Sequence, residues 1–527
     1  MTTHSAANPS PGARGQIVAR PRTQSPVEAP ASHRATNEPT PLTMITIETA
    51  VYALLMLIAA ATRLWDLGSQ PLSPREAGLA LAGIRFDGSA PPADVGAFLR
   101  YGSAVTMGLF GATDFSARLV PALVGASLPL AAYLLRPLLG HTVTIFGAAL
   151  LTISPLMVDQ SRLVGNGSIV GVLALVAFAL GARFILLAKT DDLWPLAVAL
   201  GFLVVSGPTG FSALTVLILL IVGIVMSDRR VRRPRSNANE PTVESRAPRV
   251  SREDRDGHTS SLTWPDASNL RTALIVFGLS TAIVASGALI NIAGIGETIA
   301  SAVGVWLAGF TRPTAEIAPA NFWILPVYEP AVLAAGILGG VMVWRSRDLV
   351  GRAIVAWAVL AFLLAAIRPG RLSEEVALVV VPLALLTAIA ITHLFVEVVR
   401  HGSSRSVGAV ILALSILAGL QVYVTSHLTD PRPFVGDAVI VMPLLTAAVA
   451  LYAFYTWLGR RSTELGIASF AVLAMLAFTV HSTWQVAYFS TGNVSELTRQ
   501  RQTTPDARTL VRDVDEILSV LSMNQKE

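Results

Sequence analysis

An all-α, polytopic membrane protein with about thirteen transmembrane helices is what the sequence predicts, on three observations. Of 527 residues, 53% are hydrophobic and only 14% charged, and the mean hydropathy is +0.60. The apolar residues gather in long runs, and about 20 of them in a helix cross a hydrocarbon layer of about 30 Å, with shorter runs tolerated inside a bundle. Arginine is distributed unequally over alternate loops between these runs, as topology demands. The chain has no cysteine, which excludes disulfides, iron–sulfur clusters and thiolate metal sites. The net charge of +5 is set by arginines near membrane ends and serves topology, so no nucleic-acid partner is expected.

Residues 1–43, rich in Pro, Ser, Thr and Ala, hold no apolar run and read as a disordered cytoplasmic tail. A first membrane module follows over 44–226, with spans near 45–62, 119–135, 143–158, 169–187, 193–205 and 211–226. Residues 227–270 form an arginine-dense cytoplasmic loop. A second module covers 271–486, with spans near 273–292, 322–344, 354–367, 376–396, 407–425, 438–458 and 465–486. The tail, 487–527, carries one amphipathic helix: Thr504 caps it, Pro505 opens it, and Leu510, Val514, Ile517, Leu518 and Leu521 share a face.

With the amino terminus inside, the short inner loops hold Arg136, Arg183, Lys189, Arg345, Arg347, Arg352, Arg400, Arg405, Arg460 and Arg461. The later outer loops hold half as many: Arg162, Arg312, Arg368, Arg371 and Arg432. This places the carboxyl terminus and the long first loop, 63–118, on the extracytoplasmic face of a plasma membrane. "PREAGLALAGIRF" and "VGAFLRYGSAVTMGLFGA" within that loop read as helices lying along the interface. They can wall a cavity open to lipid and to water, a setting for chemistry on a lipid-linked substrate.

"RLWDLGSQPLSPREAGLALAGIRF", "GATDFSARLVPALVGASLPLAAYLLRPLLG" and "LLTISPLMVDQSRLVGNGS" resemble, in order and spacing, the amino-terminal half of the GT-C membrane glycosyltransferases. That group includes the protein O-mannosyltransferases and the lipid A aminoarabinose transferase. "ILPVYEP", "AIRPGRLSEEVALVVVPLALL" and "RQTTPDARTLV" resemble more narrowly a prokaryotic, flippase-activity-associated branch. The resemblance implies a GT-C-like fold and inverting transfer of a sugar from a polyprenyl-phosphate carrier to an acceptor on the outer face. It makes the partners a polyprenyl-phosphate-linked sugar and membrane lipid. Such chemistry needs a carboxylate to deprotonate or orient the acceptor hydroxyl, and cations to hold the departing phosphate.

In the family the first loop carries an acidic pair; here Arg75 stands where the first acid would lie and Glu76 keeps the second. Glu76 is therefore the expected catalytic carboxylate and Arg75 a phosphate ligand. Equally, Ser73, Pro74 and Glu76 spell a helix start, with Ser73 as N-cap and Glu76 as its capping-box partner. The second outer loop keeps Arg162 but offers Asn166 and Gly167 where an acid is usual, which leaves Asp159 as a substitute. Arg371 stands nearest a family lysine expected at the carrier phosphate; Arg368 beside it, and Glu329 in "PVYEP", complete the candidate binding residues. Asp114 and Arg118, four apart at a helix start, read as a capping ion pair. Members of the group use a divalent cation, or none, at the acidic pair; Arg75 in that pair weakens a cation site without closing that alternative, no metal ligand is assigned, and no other cofactor motif occurs. The alternative is a non-catalytic glycolipid-binding flippase accessory or transporter with a degenerate site.

Overall fold

The computed structural model describes residues 46–84, 95–231, 266–292, 294–313, 320–346, 348–401, 404–427, 433–489 and 506–524. The expected tail at 1–43, most of the arginine-dense loop, Arg432, Thr504 and Pro505 lie outside these residues. Among the described residues the regular structure is helical throughout. The described residues from Ile47 onward belong to one compact unit.

Helix α1 (Ile47–Leu64) leads into the first long loop, where α2 (Pro74–Ile84) and α3 (Ala97–Phe110) form as the apolar spacing foretold. Arg100 of α3, buried despite its charge, donates to the Ala82 carbonyl at 2.9 Å and ties this pair together. The polypeptide continues through α4 (Asp114–Ala126), α5 (Leu128–Tyr133), α6 (Arg136–Leu139), α7 (His141–Ile153), α8 (Pro155–Arg162), α9 (Gly167–Leu187), α10 (Leu193–Val204) and α11 (Gly207–Val231). The second block comprises α12 (Ala267–Ala285), α13 (Gly294–Ala308), α14 (Ala320–Tyr328), α15 (Pro330–Ser346), α16 (Leu349–Ile367), α17 (Val376–His401), α18 (Ser404–His427), α19 (Pro433–Trp457) and α20 (Arg460–Trp484). A π-helical turn extends α20 over Gln485–Phe489, and α21 (Asp506–Asn524) follows.

Nine helical stretches among the described residues are long and apolar enough to span a membrane, or ten if α7 and α8, bent by 53°, are one broken span. Two of the thirteen runs expected to span fall short among the described residues. The run at 322–344 divides at Glu329 into α14 and α15, and 193–205 yields a helix of only 12 residues. Helix α13 was not expected: Glu297 and several small residues interrupt its apolar pattern. Large apolar side chains such as Leu57 and Leu338 remain exposed on outward faces, as lipid contact requires.

Helix α17 is the core. Its first half, Val376–Ala388, is buried on every side, as befits a segment with no polar face. It packs on α7, α9, α15, α16 and α20. At Gly339 of α15 an added Cβ would collide with the Leu386 carbonyl of α17, so the missing side chain is what lets the two backbones meet.

Two interrupted helices meet α20 side by side. The α7–α8 break exposes the Ile153 carbonyl, and Thr483 of α20 donates to it at 2.5 Å. The α14–α15 break exposes the Tyr328 carbonyl, and Ser482 donates to it at 3.3 Å. Hydroxyls of a neighbouring helix thus satisfy backbone groups that the breaks set free in a dry bundle.

Candidate functional site

The loop before α2 is anchored by the helix start read from its sequence. Ser73 Oγ accepts the Glu76 N–H at 3.3 Å and the Ser73 N–H donates to Glu76 Oε2 at 3.0 Å, completing the capping box. Glu76 also meets a partner 42 residues away: Arg118 Nε and Nη2 donate to Oε1 and Oε2, each at 3.0 Å. The Val164 N–H donates to Oε1 at 3.0 Å. The remaining N–H groups of Arg118 reach the carbonyls of Leu67, Gln70 and Pro71. Arg118 therefore clamps α4 to the first loop through Glu76. Asp114 serves elsewhere, accepting the Leu72 N–H at 3.3 Å, while Thr113 and Ser116 form the capping box of α4.

Burial raises the Glu76 carboxyl, but the charge and hydrogen bonds of Arg118 and the Ser73 and Val164 N–H groups outweigh it and leave the pKa below the usual range. Two donors already occupy each oxygen. A carboxylate held this way is a weak base, so the geometry matches the capping reading of Glu76 more closely than the catalytic one.

Arg75 points elsewhere, as neighbours about 100° apart on a helix must. Its Nη2 donates to Glu374 Oε1 at 3.3 Å, across 299 residues of sequence. The Arg75 side chain is 32% exposed, that of Glu374 only 6%. The other oxygen of Glu374 accepts the Asn166 N–H at 3.0 Å and the Thr209 hydroxyl at 3.3 Å. Glu374 lies in a 3-10 turn, Ser373–Glu375, that opens α17. Glu375 faces inward to a second, fully buried arginine, Arg368. Ser212 donates to Glu375 Oε1 at 2.9 Å and accepts from Arg368 at 2.9 Å and from the Trp306 indole at 3.0 Å. The Arg368 guanidinium lies over the rings of Trp306 and Phe310 at 5.6 and 5.4 Å. Arg371 donates to the carbonyls of Ala365 and Arg368, both at 3.3 Å, closing the end of α16. Burial lowers its pKa, and Glu375 counters that in part.

Arg162 lies in a different group. It donates to the carbonyls of Thr62, Arg63, Trp65 and Asp66 at 3.3, 3.3, 2.6 and 3.1 Å, beyond and along the end of α1. Its guanidinium stacks on Tyr488 at 4.7 Å. Asp159 is wholly buried in α8. Glu329 accepts the Ser154 hydroxyl and the Leu156 N–H, the latter at 3.3 Å, and so joins the α14–α15 break to the start of α8.

The expected site residues thus divide. Arg75, Arg368 and Arg371 gather with Glu374 and Glu375 where α2, the 163–166 loop, α11, α13 and the α16–α17 linker meet; Arg162, Asp159 and Glu329 belong to the helix-break region. Sequence reasoning missed Glu374 and Glu375, although both follow the arginines in "RPGRLSEE". It also missed Arg63, which is fully buried and donates to the Leu151 and Thr152 carbonyls at 3.2 Å each. No group of three or more His, Asp or Glu side chains suited to a metal occurs among the described residues. The nearby carboxylates Glu76, Glu374 and Glu375 are each paired with an arginine, a donor set that does not fit a cation.

Residues 94–235 match the family described as dolichyl-phosphate-mannose-protein mannosyltransferase. The structure is similar to ArnT from Cupriavidus metallidurans bound to undecaprenyl phosphate, with a TM-score of 0.51 at 16% identity over 85% of this chain and 79% of that one. The apo state of the same protein gives 0.47 at 15% identity over the same shares. The archaeal oligosaccharyltransferase AglB from Archaeoglobus fulgidus gives 0.45 at 13%, over 80% of this chain and 56% of that one. No curated protein matches the sequence. Residues 94–235 thus resemble the mannosyltransferase family, and the chain as a multi-pass helical membrane protein shares the fold of ArnT.

Proposed function

We propose that the protein transfers a sugar from a polyprenyl-phosphate carrier to an acceptor on the extracytoplasmic face. One observation carries the reading: a guanidinium one third exposed, Arg75, is held at the mouth of a cluster of buried charge, where the family resemblance puts the reacting groups. Guanidinium matches phosphate oxygens in pairs and stays charged when partly dried, so Arg75 suits the leaving lipid phosphate. The undecaprenyl phosphate bound in the ArnT structure supports a ligand of this class. In the transfer, the acceptor hydroxyl gives its proton to a carboxylate and its oxygen bonds to the sugar's anomeric carbon. The bond from that carbon to the phosphate oxygen breaks, the configuration inverts, and the carrier phosphate departs with the electron pair.

The replacement of the first acid by Arg75 and the engagement of Glu76 by Arg118 favour a second reading, a glycolipid-binding accessory of a flippase that transfers nothing. Turnover separates the two. Purified protein incubated with a polyprenyl-phosphate-linked sugar and a membrane extract as acceptor source releases free carrier under the first reading. Carrier bound but never released, with extracts of the parent organism included, supports the second.

A further inference from the structure

We infer that the two helix breaks form a binding site for one monovalent cation, a proton or a sodium ion, taken up on Glu329. The inference is independent of the transferase reading. Glu329 stands between α14 and α15 and is 1% exposed. Its Oε1 accepts the Ser154 hydroxyl and the Leu156 N–H at the start of α8. Its Oε2 is also buried and has no hydrogen-bond partner among the described residues. The three other buried glutamates each hold an arginine, Arg118 on Glu76, Arg75 on Glu374 and Arg368 on Glu375. Glu329 has no such cation among the described residues. A carboxylate with one oxygen dry and uncompensated is costly in a membrane bundle, so Oε2 calls for a positive charge of its own.

The surroundings are rich in oxygen. The breaks free the Ile153 and Tyr328 carbonyls, next in sequence to Ser154 and Glu329, and Thr483 and Ser482 of α20 hold them in place. A carbonyl keeps a second lone pair after one such bond, and broken helices in membrane bundles use freed carbonyls to hold sodium ions or protons. A single carboxylate sets the charge of the ligand: a monovalent ion neutralises it, whereas a divalent ion leaves a net charge buried. The charged side chains on the elements packed there are Arg63 of α1, Asp159 and Arg162 of α8 and His481 of α20. Arg63 and Arg162 are turned to backbone carbonyls, and neither Asp159 nor His481 bonds to Glu329. Ile153 and Pro330 are half-buried, so the path to the site is one residue deep. Occupancy neutralises the joint between the two breaks and tightens the bundle.

The test uses the full chain in lipid nanodiscs, wild type beside Glu329→Gln, which keeps the size and an oxygen for Ser154 and Leu156 but cannot hold the charge. One arm follows the unfolding temperature as sodium chloride replaces choline chloride at constant ionic strength. The other follows the infrared C=O stretch of a protonated carboxyl through a pH titration without sodium. Sodium as the occupant raises the wild-type unfolding temperature by about 2 °C or more, by mass action on the folded state, and leaves Glu329→Gln unmoved. A proton as the occupant makes sodium ineffective and gives the wild type a protonated-carboxyl band that Glu329→Gln lacks. Either result supports the site and identifies the ion. If Glu329→Gln does not fold, Ser154→Ala is the second variant. It removes one donor from Oε1 and should move the midpoint of the responding titration about tenfold in ion concentration, as loss of a hydrogen bond to a charged group requires. An unchanged midpoint in that variant, or the absence of both Glu329-dependent signals, overturns the inference.

Discussion

Arg118 and Glu76 form the buried pair on which the first loop depends, and their side chains are 6% and 7% exposed. Removing one partner of such a pair leaves a charge dry and uncompensated, which costs about 3–5 kcal/mol. Arg118→Ala is therefore expected to lower the thermal unfolding temperature in detergent markedly, and a shift below 2 °C would contradict the clamp. The pair also sets a pH dependence. The folded-state pKa of Glu76 lies below its unfolded value, so its contribution is complete above the ordinary carboxylate range and is lost as pH falls through that range and below it. Scans of wild type and Glu76→Gln should converge on acidification and diverge toward neutrality; parallel curves would exclude the linkage. The capping box was legible because Ser73 and Glu76 are three residues apart. The partner was not, since Asp114 offered Arg118 a nearer anion in sequence, and no local pattern spans the 42 residues to Glu76.

The helix breaks carry a similar lesson for single elements. In "ILPVYEP" the residues Pro326, Glu329 and Pro330 already interrupt the apolar run, yet its length reads as one span. The division appears only with the partners in place, when Ser154 and Leu156 meet Glu329 and Ser482 meets the Tyr328 carbonyl. Contacts between breaks are long-range and leave no periodic trace. The α15–α17 seam is the tightest test of packing: Gly339→Val inserts a branched side chain against the Leu386 carbonyl. Overpacking of this kind costs about 1–3 kcal/mol, and more where backbones must part. The variant should yield less folded protein and a lower unfolding temperature, whereas Gly278→Val, at a position with open space around it, should cost less than half as much. Equal behaviour of the two would show that the seam is loose.

For the molecule as a whole, composition and apolar runs were enough for a helical membrane fold, and the ordered motifs for the GT-C resemblance. The assembly of the charged cluster was beyond them, because Arg75 and Glu374 meet only through tertiary folding. The orientation expected from arginine placement is open to direct labelling in a chain without cysteine. Ser69 and Ser346 are both exposed, the first in the loop carrying α2 and the second at the end of α15. Ser69→Cys should react with an impermeant maleimide in intact cells and Ser346→Cys only after lysis; the reverse pattern would invert the topology and move the site to the cytoplasmic face. Carrier recognition by Arg75 is the central claim and is measured most directly as undecaprenyl phosphate affinity in nanodiscs. Wild type should bind saturably and Arg75→Ala about tenfold or more weakly, as loss of a charge-assisted contact of about 1.5–3 kcal/mol requires. Equal affinity in the two proteins, with helicity intact, would contradict it.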